Sequence, residues 1–372
     1  MKWLSCSYKR RPRLTRIAFF GFYGRHNFGD DLFGYVLQHL CNDIPGIEPR
    51  LVCASAQREL THAWTVPVLK RWVYKSGLRG TVARIVTYCA ALLCADVAVF
   101  GGGTLFGAHA SVAFARVISS VGRWVRTPVH AVGVSVGPFY SEPRRIKLLS
   151  IVERMASIAV RDRASVRAVS SIPSIQEPGN LGDLAFALPA IYTAKCPDRR
   201  ASTLIVSIHL PDYIEQVLAI LENTDNDRLV ERVQFVSLDE ESRHTAELIR
   251  RRFTPRNVNV ECLDYTTSIE EVIDALASAK CVVTSKLHGA ITSHVYNVPA
   301  LLFCYQSKCA DFLDDNDLPG PREKYPAPCD CIETVFSLLH HRTVLVPTSD
   351  GVQRYTQFKA FLERAAGSGE EV

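Results

Sequence analysis

The sequence predicts an α/β protein built as two parallel-sheet domains that face each other across a cleft. Three observations carry this reading. Short apolar runs rich in Val, Ile and Phe alternate with longer amphipathic stretches, and each run ends in a polar or glycine-rich turn. The alternation comes in two series, separated by a segment, residues 188–202, that holds Pro189, Pro197 and the charged run Asp198-Arg-Arg. Strands alternating with helices imply βαβ units and a mostly parallel sheet, so each series reads as a Rossmann-like domain. A chain of 372 residues has room for two such domains, each with its own core.

In the first series, residues 17–22 read as a strand, 23–31 as a turn and 32–40 as a helix with Leu32, Tyr35, Val36 and His39 or Leu40 on one face. Residues 97–100 are a second strand, followed by the glycine loop 101–107. Residues 129–136 are a third strand, ending in Gly137-Pro138-Phe139, and 158–160 a fourth, ending in Arg161-Asp162 before a helix at 164–169. The second series has strands at 204–208, 233–236, 258–263, 281–284 and 300–304, with helices such as 241–252 and 269–279 between them. The expected layout is a basic arm at 1–16, domains at 17–190 and 200–347, and a closing helix at 352–366.

Composition narrows the function classes. Hydrophobic residues make up 47% and charged residues 22%, as in globular proteins. The longest apolar stretch, 85–95, stops at Asp96, short of the ~20 residues that span a bilayer. The basic N-terminus lacks an apolar stretch and a small-residue cleavage site, so the expected location is the cytoplasm, with peripheral attachment to the inner face of the membrane as an extension. Twelve cysteines are scattered, several inside apolar runs (Cys89, Cys94, Cys281, Cys304), which suits buried reduced thiols. Cys329, Cys331, His340 and His341 are the one cluster that hints at metal. No metal is expected there, because neither a C-x2-C pair nor H-E-x-x-H exists.

The net charge of +5 hides an asymmetry. Residues 1–175 hold 24 Lys and Arg against 9 Asp and Glu, a net of +15, while residues 176–372 hold 19 against 29, a net of −10. The first half therefore faces something anionic. Lys70, Arg71, Lys75 and Arg79 interleaved with Trp72, Tyr74 and Tyr88 suit an anionic membrane surface, or else an ordinary solvated face. Nucleic acid is not an expected partner, since no zinc finger or RNP signature accompanies the charge.

The chemistry concentrates at strand ends, which border the ligand crevice of a parallel sheet. Ser285, Lys286 and His288 occupy one βα turn, and the strand after it delivers Lys308; cations beside a helix N-terminus make a receptor for phosphate or carboxylate. Arg161 stands directly after a strand, where a guanidinium takes a carboxylate ligand or pairs with Asp162 or Asp183. In the first turn, Asn27, Asp30 and Asp31 exceed what one helix cap requires, so one aspartate is a candidate sugar ligand or general base. Gly102 and Gly103 allow a ligand close to the backbone. The run 101–107 is no nucleotide fingerprint, because Phe106 takes the place of the last glycine and no Lys-Ser/Thr follows.

Six motifs run in order through the chain: Asn27-Phe-Gly-Asp-Asp31, Gly101-Gly-Gly-Thr-Leu-Phe106, Gly133-Val-Ser-Val-Gly-Pro-Phe139, Val160-Arg-Asp162, Ser285-Lys-Leu-His-Gly-Ala290 and Tyr305-Gln-Ser-Lys308. Together they resemble the polysaccharide pyruvyltransferase family, from Gly21 to about Phe312. The resemblance implies a GT-B-like fold, with the acceptor on the first domain and the donor on the second. It implies transfer of the pyruvyl group of phosphoenolpyruvate, with no further cofactor, onto two hydroxyls of a sugar or lipid-linked glycan as a cyclic ketal. It also implies that Arg161, His288 and Lys308 hold the donor. His288 would serve as acid, an aspartate of the first turn as base, and Lys286 matches a position where the family tends to carry a basic residue. Three rivals remain: a GT-B glycosyltransferase that uses a nucleotide sugar, a nucleic-acid-binding protein that uses the +15 half but lacks a recognised motif, and an inactive scaffold.

Overall fold

The structure, a computed structural model, describes residues 14–53, 58–108, 110–175, 178–195, 203–266, 268–340 and 350–367. Most of the basic arm, residues 196–202 of the expected linker, His341 and the residues after Gly367 lie outside them.

Strands β1 (Thr15–Phe20), β2 (Ile47–Val52), β3 (Ala63–Trp64), β4 (Val97–Phe106), β5 (Val129–Val136), β6 (Ser157–Val160) and β7 (Gly179–Asn180) form one parallel sheet in the order β3-β2-β1-β4-β5-β6-β7. Strands β8 (Thr203–Ser207), β9 (Arg232–Ser237), β10 (Asn259–Asp264), β11 (Cys281–Thr284) and β12 (Ala300–Leu302) form a second, ordered β10-β9-β8-β11-β12. Helices α1 (Phe28–Asn42), α2 (Gly77–Leu93), α3 (Val112–Trp124), α4 (Glu142–Val152), α5 (Arg163–Val169) and α6 (Leu188–Ile191) belong to the first half. The second half adds α7 (Ile214–Asn226), α8 (Glu240–Arg252), α9 (Ile269–Ser278), α10 (Leu287–Val295), α11 (Ser307–Asp315) and α12 (Pro328–His340), and α13 (Asp350–Gly367) ends the chain. Helices cover both faces of each sheet, so a central strand such as β5 is buried along its whole length and is apolar without alternation. The strand order reverses between β1 and β4 and again between β8 and β11. At such points the carboxyl ends of the strands splay and leave a crevice.

Two local expectations change. Helix α1 begins at Phe28 rather than 32, because Asn27 is the cap: its Oδ1 accepts the Gly29 N–H at 3.1 Å. Asp30 and Asp31 thus lie in the first turn instead of capping it. Residues 101–106 are not a loop but continue β4, with φ of +74° at Gly102 and +81° at Gly103 and a register shift against β5 between Gly103 and Phe106. Only glycine adopts such a pair without strain, and the bulge turns the strand end toward the crevice.

Each half keeps a core of its own, and a third core is shared between them. Two clusters belong to one half each. The third joins Phe28 and Phe33 of α1 to Leu276 of α9, Ile291 of α10, and Phe358 and Leu362 of α13, which returns from the end of the chain to pack on the first half. Polar contacts follow the same seam: Phe28 N–H donates to Leu238 O at 2.9 Å, Ser268 Oγ to Glu59 at 2.8 Å, and Tyr35 Oη to Glu270 at 3.1 Å. No helix of the described residues is long and apolar enough to cross a membrane.

Candidate active site

Where the two switch points face each other lies a cavity of about 210 Å3. Its walls include Asn27, Asp30 and Phe33 from α1, Gly103 and Thr104 from β4, Arg161 after β6, Lys286 and His288 at the start of α10, and Tyr305 and Lys308 at the start of α11. Seven residues singled out from sequence meet here: Asn27, Asp30, Gly103, Arg161, Lys286, His288 and Lys308. Neither α10 nor α11 has a side-chain cap, so their first N–H groups add partial positive charge to this wall.

The cations differ in how far they are already neutralised. Arg161, with its side chain 4% exposed, places Nη1 3.1 Å from Asp183 and Nε 3.5 Å from Asp162, and Nη2 donates to Thr104 Oγ1 at 3.3 Å. Lys286 is hydrogen-bonded to the Asp239 carboxylate, with Glu241 at 3.9 Å. Lys308 has no carboxylate in ion-pair range among the described residues, and its nearest recorded partner is the Tyr305 ring, 5.4 Å from Nζ. Burial lowers its pKa, with Arg161 and Lys286 adding to the effect. A half-buried ammonium without a carboxylate partner carries a desolvation cost, and an anionic ligand would relieve it.

His288 reaches across from the second half. Its ring meets the Phe33 ring edge-on with centroids 4.8 Å apart, and Nε2 lies 3.7 Å from Asp183. That separation allows charge attraction but no hydrogen bond, and Nε2 is buried without any hydrogen-bond partner. The ring sits so close to α1 that a Cβ on Gly29 would fall 2.0 Å from Nδ1. Burial alone would raise the Asp183 pKa, yet His288 and Arg161 outweigh it and hold the carboxyl below its usual range. Asp30 goes the other way: removal from water, with neighbouring Asp31, pushes it up from 3.8 to about 6 despite the pull of His288.

Three expected site residues stand behind the wall. Asp31 is fully buried, accepting the Gly24 N–H and, at 2.8 Å, the Tyr265 hydroxyl of the other half, so it joins the halves rather than facing a ligand. Ser285 is also fully buried, its Oγ bound to the His209 N–H at 2.9 Å and to His209 Nδ1 at 2.6 Å. Gly102 is turned toward the Phe33 ring, which a Cβ would meet at 2.5 Å.

A family model, polysaccharide pyruvyl transferase, matches residues 27–307, from the cap of α1 to the first residue of α11. The chain belongs to that family. It is therefore a transferase of the pyruvyl type, and its motifs in order are the signal that the sequence alone carried. No curated protein matches the chain significantly. Among solved structures, a putative UDP-N-acetylglucosamine 2-epimerase from Listeria monocytogenes has a TM-score of 0.62 at 10% identity, covering 97% of this chain and 98% of its own. The UDP-GlcNAc 2-epimerase from Methanocaldococcus jannaschii has the same score and identity over 94% and 99%. UGT2 of Phytolacca americana gives 0.53 at 12% over 97% and 95%. At such identities the likeness concerns the fold alone, and the fold of this pyruvyl transferase is GT-B.

This cavity adjoins a second one of about 380 Å3, and the two share Thr104 and Lys308. Its chemistry is different. Ser135, Phe139, Tyr140, Asp162, Gln306 and Asp311 line it, two of them acids and two aromatic, and the Asp311 carboxyl is raised by burial and by Asp162 and Asp315. The sequence offered Asp162 only as a possible partner of Arg161 and gave the others no role, although Ser135, Phe139 and Gln306 stand within quoted motifs. Asp183 appeared there only as a possible partner of Arg161. Among the described residues no cluster of three His, Cys, Asp or Glu is arranged to hold a metal.

Proposed function

We propose that this protein transfers the pyruvyl group of phosphoenolpyruvate to two hydroxyls of a sugar in a polysaccharide or lipid-linked glycan, forming a cyclic ketal. The observation that carries the reading is Lys308, a half-buried cation with no carboxylate in ion-pair range among the described residues, beside Arg161 and two uncapped helix starts. A small donor with both a phosphate and a carboxylate satisfies that arrangement. The adjoining cavity takes the acceptor: acids and Gln306 suit hydroxyls, and Phe139 and Tyr140 offer apolar faces to a sugar ring.

His288 acts as the acid. Nε2, 3.7 Å from Asp183, gives a proton to the methylene carbon of the donor, which becomes a methyl group and leaves C2 electrophilic. Asp30 accepts the proton of the first sugar hydroxyl as its oxygen bonds to C2. The bond from C2 to the phosphate oxygen then breaks, and the second hydroxyl closes the ketal. One hydroxyl proton ends in the methyl group and the other on the released phosphate, so two residues shuttle protons without net change. Asp30 rather than Asp31 suits the role of base, because Asp31 is tied to Tyr265 and Gly24. Phosphoenolpyruvate is a cytoplasmic metabolite, which puts the reaction there.

Phosphate release from phosphoenolpyruvate in the presence of candidate glycan acceptors tests the proposal. Thermal shift should show stabilisation by phosphoenolpyruvate and little by UDP-sugars. Tight UDP-sugar binding without phosphoenolpyruvate binding would return the site to a nucleotide-sugar glycosyltransferase.

A further inference from the structure

We propose that α2 and the turn preceding it form a docking surface for an anionic membrane. Helix α2 presents two unlike faces. Ala83, Thr87, Tyr88 and Ala91 pack inward, while Leu78, Val82, Ile85, Val86 and Leu93 are 80%, 49%, 40%, 45% and 64% exposed. Their spacing of four, three, one and seven residues is helical, so they lie as one stripe along the outer side. Apolar stripes of soluble helices normally face the core, and this helix already buries its other side there.

The charge around the stripe selects the occupant. From Leu60 to Ala95 the sequence contains Lys70, Arg71, Lys75, Arg79 and Arg84 and no Asp or Glu. Arg71, Lys75 and Arg79 gather on the Trp72 ring at 5.2, 4.9 and 5.6 Å, next to the exposed Tyr74 and Val68. Arg84 is turned inward onto the carbonyls of Val73 and Lys75, which leaves four outward cations. An apolar stripe ringed by cations and an aromatic residue matches the interface of an anionic bilayer, where apolar side chains enter the headgroup boundary and cations meet lipid phosphates. A nucleic acid would use the charge but not the stripe.

Position adds a consequence for the cleft. Helix α2 links β3 to β4 of one parallel sheet, so it runs opposite to the strands, and its cationic start lies at their carboxyl ends, the end that bears the cavities. A membrane held there meets the cleft from the acceptor side. The surface is independent of which reaction the cleft performs.

Sedimentation of the full chain with phosphatidylserine–phosphatidylcholine vesicles, against phosphatidylcholine alone, at about 0.05 M and about 0.15 M salt tests it. The protein should pellet with the anionic vesicles, less at the higher salt. Reversing the four outward cations (K70E, R71E, K75E, R79E) should weaken partitioning on the order of 10²-fold or more. Leu78→Gln with Ile85→Gln should weaken it about 10-fold and leave the salt dependence intact. All six side chains are exposed, so melting temperatures should match the parent and keep loss of binding distinct from loss of fold. Equal recovery in the supernatant with both vesicle types at low salt overturns the proposal. So does a surface that binds a single-stranded oligonucleotide, loses it on charge reversal and keeps it in the glutamine variant while ignoring vesicles.

Discussion

Asp30→Asn should make the protein more stable and less active, and the two effects can be worked from one number. Burial raises the Asp30 carboxyl from 3.8 to about 6. The folded state therefore holds the proton more tightly than the unfolded chain, and stability falls as pH rises through about 6. At about 1.4 kcal/mol for each pKa unit, the ceiling on that cost near neutral pH is about 3 kcal/mol. Asp30 keeps contact with cavity water, which screens it, so about 1–2 kcal/mol is the expected gain on replacement. Urea denaturation of parent and variant at about pH 5 and about pH 7.5 separates this from a packing effect, because the gap should be wider by about 1 kcal/mol at the higher pH. Activity should drop by about 10²-fold or more, and the acidic limb of the kcat/KM profile near pH 6 should vanish with it. A variant that is less stable at both pH values, or that retains the acidic limb, would refute the reasoning.

His288→Ala should lower kcat by about 10²-fold or more in steady-state assays, while phosphoenolpyruvate still protects the protein in thermal shift. Lys308→Ala should instead weaken phosphoenolpyruvate binding by at least about 10-fold, read by calorimetry, and raise thermal stability slightly because a half-buried charge without a carboxylate partner is lost. Gly29→Ala inserts a methyl group where the His288 ring stands, 2.0 Å from Nδ1, so turnover should fall well beyond the change in melting temperature. Tyr265→Phe removes the hydroxyl that binds the buried Asp31 and should cost about 1–3 kcal/mol in chemical denaturation.

The fold was legible because its strands are buried on both faces and its turns are polar, which leaves a strong alternation in the sequence. Glycines misled at 101–106: glycine is depleted in strands, yet here two positive φ angles build a bulge within β4. Helix α2 was legible only as a possible solvated helix face, without bounds, since apolar residues occupy its outer face as well and blur the helical period. The site was legible as a set of strand ends but not as a wiring diagram. Nothing local pairs His288 with Asp183, gives Lys286 to Asp239, or sends Asp31 to Tyr265, because each partner lies tens of residues away or more and only the packed halves bring them together.

The core shared by α1, α9, α10 and α13 bears on how the protein comes apart. Because Phe28 and Phe33 of one half lie in the same apolar cluster as Leu276 and Ile291 of the other, and Phe358 and Leu362 close it from the chain end, neither half can lose its structure and leave this shared core dry. Calorimetry should accordingly record one heat-absorption peak, with van't Hoff and calorimetric enthalpies agreeing, where two autonomous lobes would give two. The two halves expressed as separate chains should each be poorly soluble and should regain solubility when expressed together. The cleft is, in this sense, a furrow in a single cooperative body.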